Sequence, residues 1–192
     1  MEQYLESSEF IDYAHPDVMA KASQLKGELS SDVDIAKACF NYVRDEIKHS
    51  WDFKIDQITC KASDVLAFQT GYCYAQSHLL AALLRANGIP AGLCYQRLSV
   101  EGNGAPFCLH GLNAVHLEDF GWYRIDPRGN KEGVDAQFNP PIEQLAFNTD
   151  DRFETDIQGI FPEPLAVVIN VLQTYDTYLD TYNNLPDIEV YT

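Results

Sequence analysis

Basic residues are scarce in this chain: 13 Lys and Arg stand against 29 Asp and Glu, a formal charge of −16. That charge repels phosphate backbones and anionic lipid headgroups, so neither nucleic acid nor a membrane surface is expected as a partner. Also missing is any apolar run of membrane-spanning length, and the opening MEQYLESSEF has neither the positive stretch nor the apolar run of a signal peptide. There is no CxxC pair. The five cysteines (Cys39, Cys60, Cys73, Cys94 and Cys108) form an odd set, a poor disulfide framework that suits a reducing compartment. Cytoplasmic residence is the expectation. Internal repeats and low-complexity tracts are absent too.

What is present is enough for a folded core. The hydrophobic fraction of 46% against 22% charged residues is that of a globular chain, and 192 residues fit one domain. We read residues 1–192 as a single unit: an amino-terminal arm over 1–31, a core over 32–130, and a carboxy-terminal loop and helix over 131–192. A short helix is expected over 16–25 within the arm. After the capping residues Ser31 and Asp32, the apolar positions Ile35, Ala36, Cys39, Tyr42, Val43 and Ile47 describe one face of a helix ending near His49. Ser63 is expected to cap a short helix over 64–68.

Between Tyr74 and Asn87 the apolar residues Ala75, Leu79, Leu80, Ala82, Leu83 and Ala86 cover a wide arc, as in a helix packed on several sides, and Gly88 and Pro90 end it. The period then changes. AGLCYQRLSV, FCLHGLNAVHLE and GWYRID read as three antiparallel strands, followed by loop with one further edge strand, and Pro164 opens a helix over 165–183. Helices followed by a strand meander give an α+β fold, with the central helix packed on an antiparallel sheet.

Cys73 stands where that central helix begins. Unpaired N–H groups and about half a positive charge collect at a helix amino terminus, so a thiol at such a place ionises readily and an oxyanion formed beside it finds donors. A thiol nucleophile needs a base, and the base an orienting partner. His15 lies in the arm, His49 ends a helix, and His78 sits roughly 140° around the helix from Cys73. His110 and His116 share one face of one strand, and spacing alone does not separate them. A hairpin turning about residues 119–120 pairs residues whose numbers sum to about 239. Asp126 then lies diagonally from His110, where it can hold the imidazole in a useful tautomer, and this favours His110.

GYCYAQSHLLAALLRANGIPA (71–91) and HGLNAVHLEDFGWYRIDP (110–127) resemble blocks of the transglutaminase-like superfamily, relatives of papain-type cysteine proteases. The resemblance spans about residues 35–130. It implies a papain-like, transglutaminase-like core with Cys73 as nucleophile, His110 as general base and acid, and Asp126 as orienting carboxylate. Where the family often has Trp after the histidine, Gly111-Leu112 stands here, which is expected to widen the site or change its acyl specificity. Arg128 follows Asp126-Pro127 and is expected to attract an anionic group.

Further candidates for the oxyanion hole or cleft wall are Gln69, Tyr72 and Gln96, with Tyr95 beside them. Trp51 and Trp122 are core or cleft-wall aromatics. Cys39, Cys94 and Cys108 read as packing residues, and Cys94, Cys108 and His110 lack the spacing of a zinc site, so neither metal nor cofactor is expected. The expected function is a cysteine-dependent acyl-transfer enzyme, foremost a protease or amidase acting on a peptide or small amide. The alternatives are amine acyl transfer of the transglutaminase type and an inactive peptide-binding module; a redox role is weaker because no resolving cysteine lies nearby in sequence. The chain carries no sign of its oligomeric state.

Overall fold

The computed structural model describes residues 1–149 and 154–188. A 3-10 turn, Glu2–Tyr4, precedes α1 (Pro16–Lys26), α2 (Asp32–Glu46), β1 (Lys48–His49), α3 (Ser50–Phe53), α4 (Ala62–Phe68), β2 (Thr70–Gly71) and α5 (Cys73–Ala86). The sheet strands β3 (Ala91–Ser99), β4 (Phe107–Leu117) and β5 (Gly121–Ile125) follow. The chain continues through β6 (Gln137–Asn139), β7 (Ile142–Gln144), β8 (Thr155–Phe161), α6 (Ala166–Thr174) and α7 (Tyr178–Asn183). The class is α+β.

α5 is the centre of the molecule. Every residue from Cys73 to Arg85 is buried, because α1, α2 and α4 pack around it on one side and β3 and β4 on the other. Leu79, Leu80, Leu83 and Leu84 are wholly enclosed, each contributing about 1.5–3 kcal/mol by leaving water. Arg85, near the end of this helix, is buried, and each of its three guanidinium nitrogens donates to a carbonyl, those of Ala91, Glu6 and Pro162. One side chain thus ties the arm, the start of β3 and the end of β8 to the helix. α2 is built as expected, with Ser31 accepting from Asp34 N–H at 3.2 Å as its cap.

The antiparallel sheet runs β5-β4-β3-β8. Its β4–β5 register pairs His116 with Trp122, one residue short of the expected partner, because the turn takes one residue fewer. β8 was not anticipated. It pairs antiparallel with β3, with a register irregularity between Leu93 and Tyr95. β6 and β7, where one edge strand was expected, instead pair with each other.

Three local expectations need correction. α2 stops at Glu46, and Lys48 and His49 pair in parallel with Thr70 and Gly71, an arrangement fixed by Thr70 Oγ1 donating to Lys48 O and Gln76 Nε2 donating to Ile47 O. Ser63 is not the cap of α4; Lys61 holds that position, and the Ser63 hydroxyl and N–H both donate to Asp12 of the arm. The helix expected over 165–183 is two, because the backbone is extended at Tyr175. Thr177 then caps α7 by accepting from Asp180 N–H at 3.0 Å, and Leu179 is exposed.

Candidate active site

Cys73 opens α5 with Tyr72 in the N-cap position, and no side chain caps the first turn. Its thiol, 7% exposed at the residue level, accepts a hydrogen bond from Gly111 N–H at 3.5 Å. That approach depends on a missing side chain. A Cβ at Gly111 would lie 2.9 Å from Tyr74 Cδ1 and 3.1 Å from Tyr74 Cα, closer than packed carbon atoms come. Glycine therefore does not widen the site, as its place in the sequence had led us to expect. It lets β4 press against the first turn of α5, and the Tyr74 hydroxyl secures the contact by donating to Leu109 O.

The same contact brings His110 to the thiol. His110 Nε2 meets Asp126 Oδ2 at 2.7 Å, which leaves Nδ1 for Cys73, the other side-chain partner of this imidazole. Burial alone would pull the His110 pKa down. Asp126 and Cys73 outweigh it and push the value up to about 10. Asp126 is wholly buried and fully satisfied: Oδ2 also accepts from Ala146 N–H at 3.1 Å, and Oδ1 from Arg128 N–H at 3.1 Å. Three donors therefore fix the carboxylate, and the Phe147 ring stands edge-on to the imidazole at 5.0 Å.

The other histidines lie elsewhere or are neutral. His116 stands edge-on to Trp122, His78 holds Cys60 O, and His15 caps α1. His49 does line the Cys73 cavity. Burial, and then Arg128, push its pKa down to about 3, so it is neutral.

Among the secondary candidates, Tyr72 lines the cavity and its hydroxyl donates to Tyr178 O at 2.5 Å. Gln69 faces away. It ends α4 with φ 54°, its amide donates to Leu66 O and Tyr42 Oη, and it borders a separate groove with α1 and α2. Gln96 pairs across the sheet with His110, but its amide donates to Asp156 and Phe147 O, so it braces the segment behind the imidazole. Tyr95 Oη accepts from Leu165 N–H. Arg128 is not free for an anion, because Asp52 Oδ2 lies 2.8 Å from its guanidinium and Lys131 takes the other oxygen of Asp52.

The cavity over Cys73 has a volume of about 380 Å³, within the size range of small-molecule sites. Trp51, Phe147, Tyr182 and Leu185 are among its apolar walls, and Glu154 lies on its rim. Sequence reasoning found Trp51 but missed Phe147, Tyr182 and Leu185. Nothing in their spacing connects them to Cys73; the Thr177 cap signal could have placed α7, though not its docking. All five cysteines are free. Among the described residues no cluster of His, Cys, Asp or Glu could hold a metal ion, and no helix is long and apolar enough to cross a membrane.

A cysteine at the head of a buried helix, facing a histidine and a carboxylate on an antiparallel sheet, is the arrangement of papain-like and transglutaminase-like proteins, whose chemistry depends on cysteine. The family model for the transglutaminase-like superfamily matches residues 20–127, more than half of the chain, and the chain belongs to that superfamily. A candidate cysteine protease from Cytophaga hutchinsonii is similar in structure, with a TM-score of 0.52 and 20% identity over 65% of this chain and 40% of its own. The periplasmic domain of TgpA from Pseudomonas aeruginosa gives a TM-score of 0.47 at 20% identity over 65% of this chain and 45% of its own. This chain thus spans less than half the length of either. No curated protein matches it.

Proposed function

We propose that the chain is a cysteine-dependent acyl-transfer enzyme, a hydrolase of amides or peptides working through Cys73, His110 and Asp126. The supporting observation is the continuous line from the buried, triply bonded Asp126 through His110 to the Cys73 thiol. In the first step the Cys73 thiolate forms a bond to the carbonyl carbon, and the displaced electron pair collects on oxygen near the uncapped amino terminus of α5. As that pair returns, the C–N bond breaks and His110 Nδ1–H gives its proton to the departing amine. Water then attacks the thioester carbon, its proton passes to His110, and as the tetrahedral intermediate collapses the C–S bond breaks, releasing the acid and restoring the Cys73 thiolate beside protonated His110. Asp126 holds the imidazole and balances its charge throughout. Five unpaired cysteines support cytoplasmic residence as part of the same proposal.

The reading is tested with p-nitrophenyl acetate. The thiolate displaces p-nitrophenolate by breaking the ester C–O bond, and the acetyl group stays on sulfur. Intact-mass measurement should find one acetyl adduct, mapped to Cys73 and absent in Cys73→Ala. A wild type that shows neither an adduct nor p-nitrophenolate release beyond that of Cys73→Ala would reject the enzyme.

A further inference from the structure

Residues 177–188 lie across the cavity as a strap, and they fall outside the stretch that the family model matches. Tyr178 O accepts from Tyr72 Oη next to the thiol. Tyr182 stacks on Trp51 with ring centroids 3.6 Å apart and planes 11° from parallel, and both rings face the cavity together with Leu185. Beyond the cavity the strap is joined to the sheet. Leu109 N–H donates to Pro186 O at 2.7 Å. Arg97 grips both carboxylate oxygens of Asp187 at 2.7 Å and also donates to Ile188 O. The groove beside Cys73 is therefore closed at the end where β3, β4 and the strap come together.

A polypeptide cleaved in its interior needs a groove that lets the chain leave on both sides of the reacting carbonyl. Here one side is a pocket walled by aromatic and aliphatic side chains. The positive groups nearest it, Arg128 and Lys131, are committed to Asp52, and the carboxylate on its rim, Glu154, is turned to Ser99 N–H. Away from the His110 imidazolium and the start of α5, where the reacting carbonyl would sit, the described walls of this pocket suit an uncharged apolar group and hold no free cation for an anionic one.

We infer that this strap sets the substrate class. The acyl donor is a small amide or ester whose acyl part is an uncharged aromatic or branched aliphatic group packed against Tyr182 and Leu185. This rests on the acyl-transfer reading above, and Tyr182 acts as a specificity-determining residue. Its hydroxyl makes no hydrogen bond among the described residues, so the ring alone forms the wall.

The test compares p-nitrophenyl phenylacetate with p-nitrophenyl acetate, whose common leaving group cancels, in wild type, Tyr182→Ala, Tyr182→Phe and Leu185→Ala. Wild type should acylate Cys73 at least about tenfold faster with phenylacetate, the scale on which small apolar differences are discriminated. Tyr182→Ala and Leu185→Ala should shrink that ratio, and Tyr182→Phe should keep it. Equal ratios in wild type and Tyr182→Ala would overturn the inference, as would cleavage of carboxymethylated casein at interior peptide bonds. A wild type that releases p-nitrophenolate from neither ester faster than Cys73→Ala does, and forms no Cys73 adduct, would instead overturn the enzyme reading itself.

Discussion

The first turn of α5 and the strap over 177–188 bound the same cavity but are held in different ways. The helix end is locked from all sides: Gly111 presses on Tyr74, Gln76 holds Ile47 O, and the thiol has backbone and side-chain partners within a buried shell. The strap is half-exposed and attached by an aromatic stack, three backbone carbonyls and one surface ion pair. A reacting centre must be held to within fractions of an ångström, whereas a specificity wall can vary from chain to chain as long as it stays closed. The family match follows this division, covering the helix and the Cys, His and Asp positions but not the strap.

Replacements that separate these regions should rank accordingly. The largest effect is expected for His110→Ala, which removes the proton carrier and should lower acyl transfer by about 10²–10⁴-fold, read from ester or amide turnover. In the wild type, turnover should hold through neutral pH and fall on the alkaline side as His110 loses its proton near pH 10. Gly111→Ala should come next. Its Cβ must displace Tyr74, costing about 1–3 kcal/mol of stability as overpacking does, visible as a lower Tm together with a loss of Cys73 reactivity.

A third prediction concerns acid. His49 and His78 are buried and neutral, with pKa values pushed down to about 3 and about 4. The unfolded chain binds their protons below about 6.5, so stability rises with pH in that range and is lost as pH falls from about 6.5 toward 4. Urea unfolding at pH 7, 5.5 and 4.5 should show the decline, and His78→Met should flatten part of it. The smallest effect is expected for Arg97→Gln. It cuts a partly exposed ion pair worth less than about 1 kcal/mol and should leave Tm nearly unchanged while relaxing the preference for bulky acyl esters. A wild-type ester preference in Arg97→Gln would place the hold on the strap in the Trp51 stack and the Pro186 bond instead.

The same division explains what could be read beforehand. α5 and strands β3 to β5 were legible because burial on one or several faces imposes a period on the sequence, and the nearness of Cys73, His110 and Asp126 was legible because the helix start fixes the thiol and the hairpin limits the spacing of the other two. The role of Gly111 was misread, since a missing side chain shows its meaning only when the partner that fills its space, Tyr74, is seen. Gln69 was given a place near the thiol by sequence distance alone, but its left-handed backbone turns it toward Tyr42. Ala146, Phe147, Tyr182 and Leu185 meet the site through contacts many residues apart, and β8 joins the sheet after a long excursion. No local pattern encodes such pairings.

The central claim is that His110 makes Cys73 a reactive thiol, and alkylation tests it most directly. Burial holds Cys39, Cys60, Cys94 and Cys108 as thiols, each pushed up to about 12, so they serve as internal controls. Native protein would be treated with iodoacetamide at neutral pH and each cysteine followed by mass spectrometry, in wild type and His110→Ala. The account predicts that Cys73 reacts first and faster than free cysteine, and that His110→Ala slows it to the rate of an ordinary thiol or below. Equal rates in the two proteins, or a wild-type Cys73 no faster than its four neighbours, would contradict it.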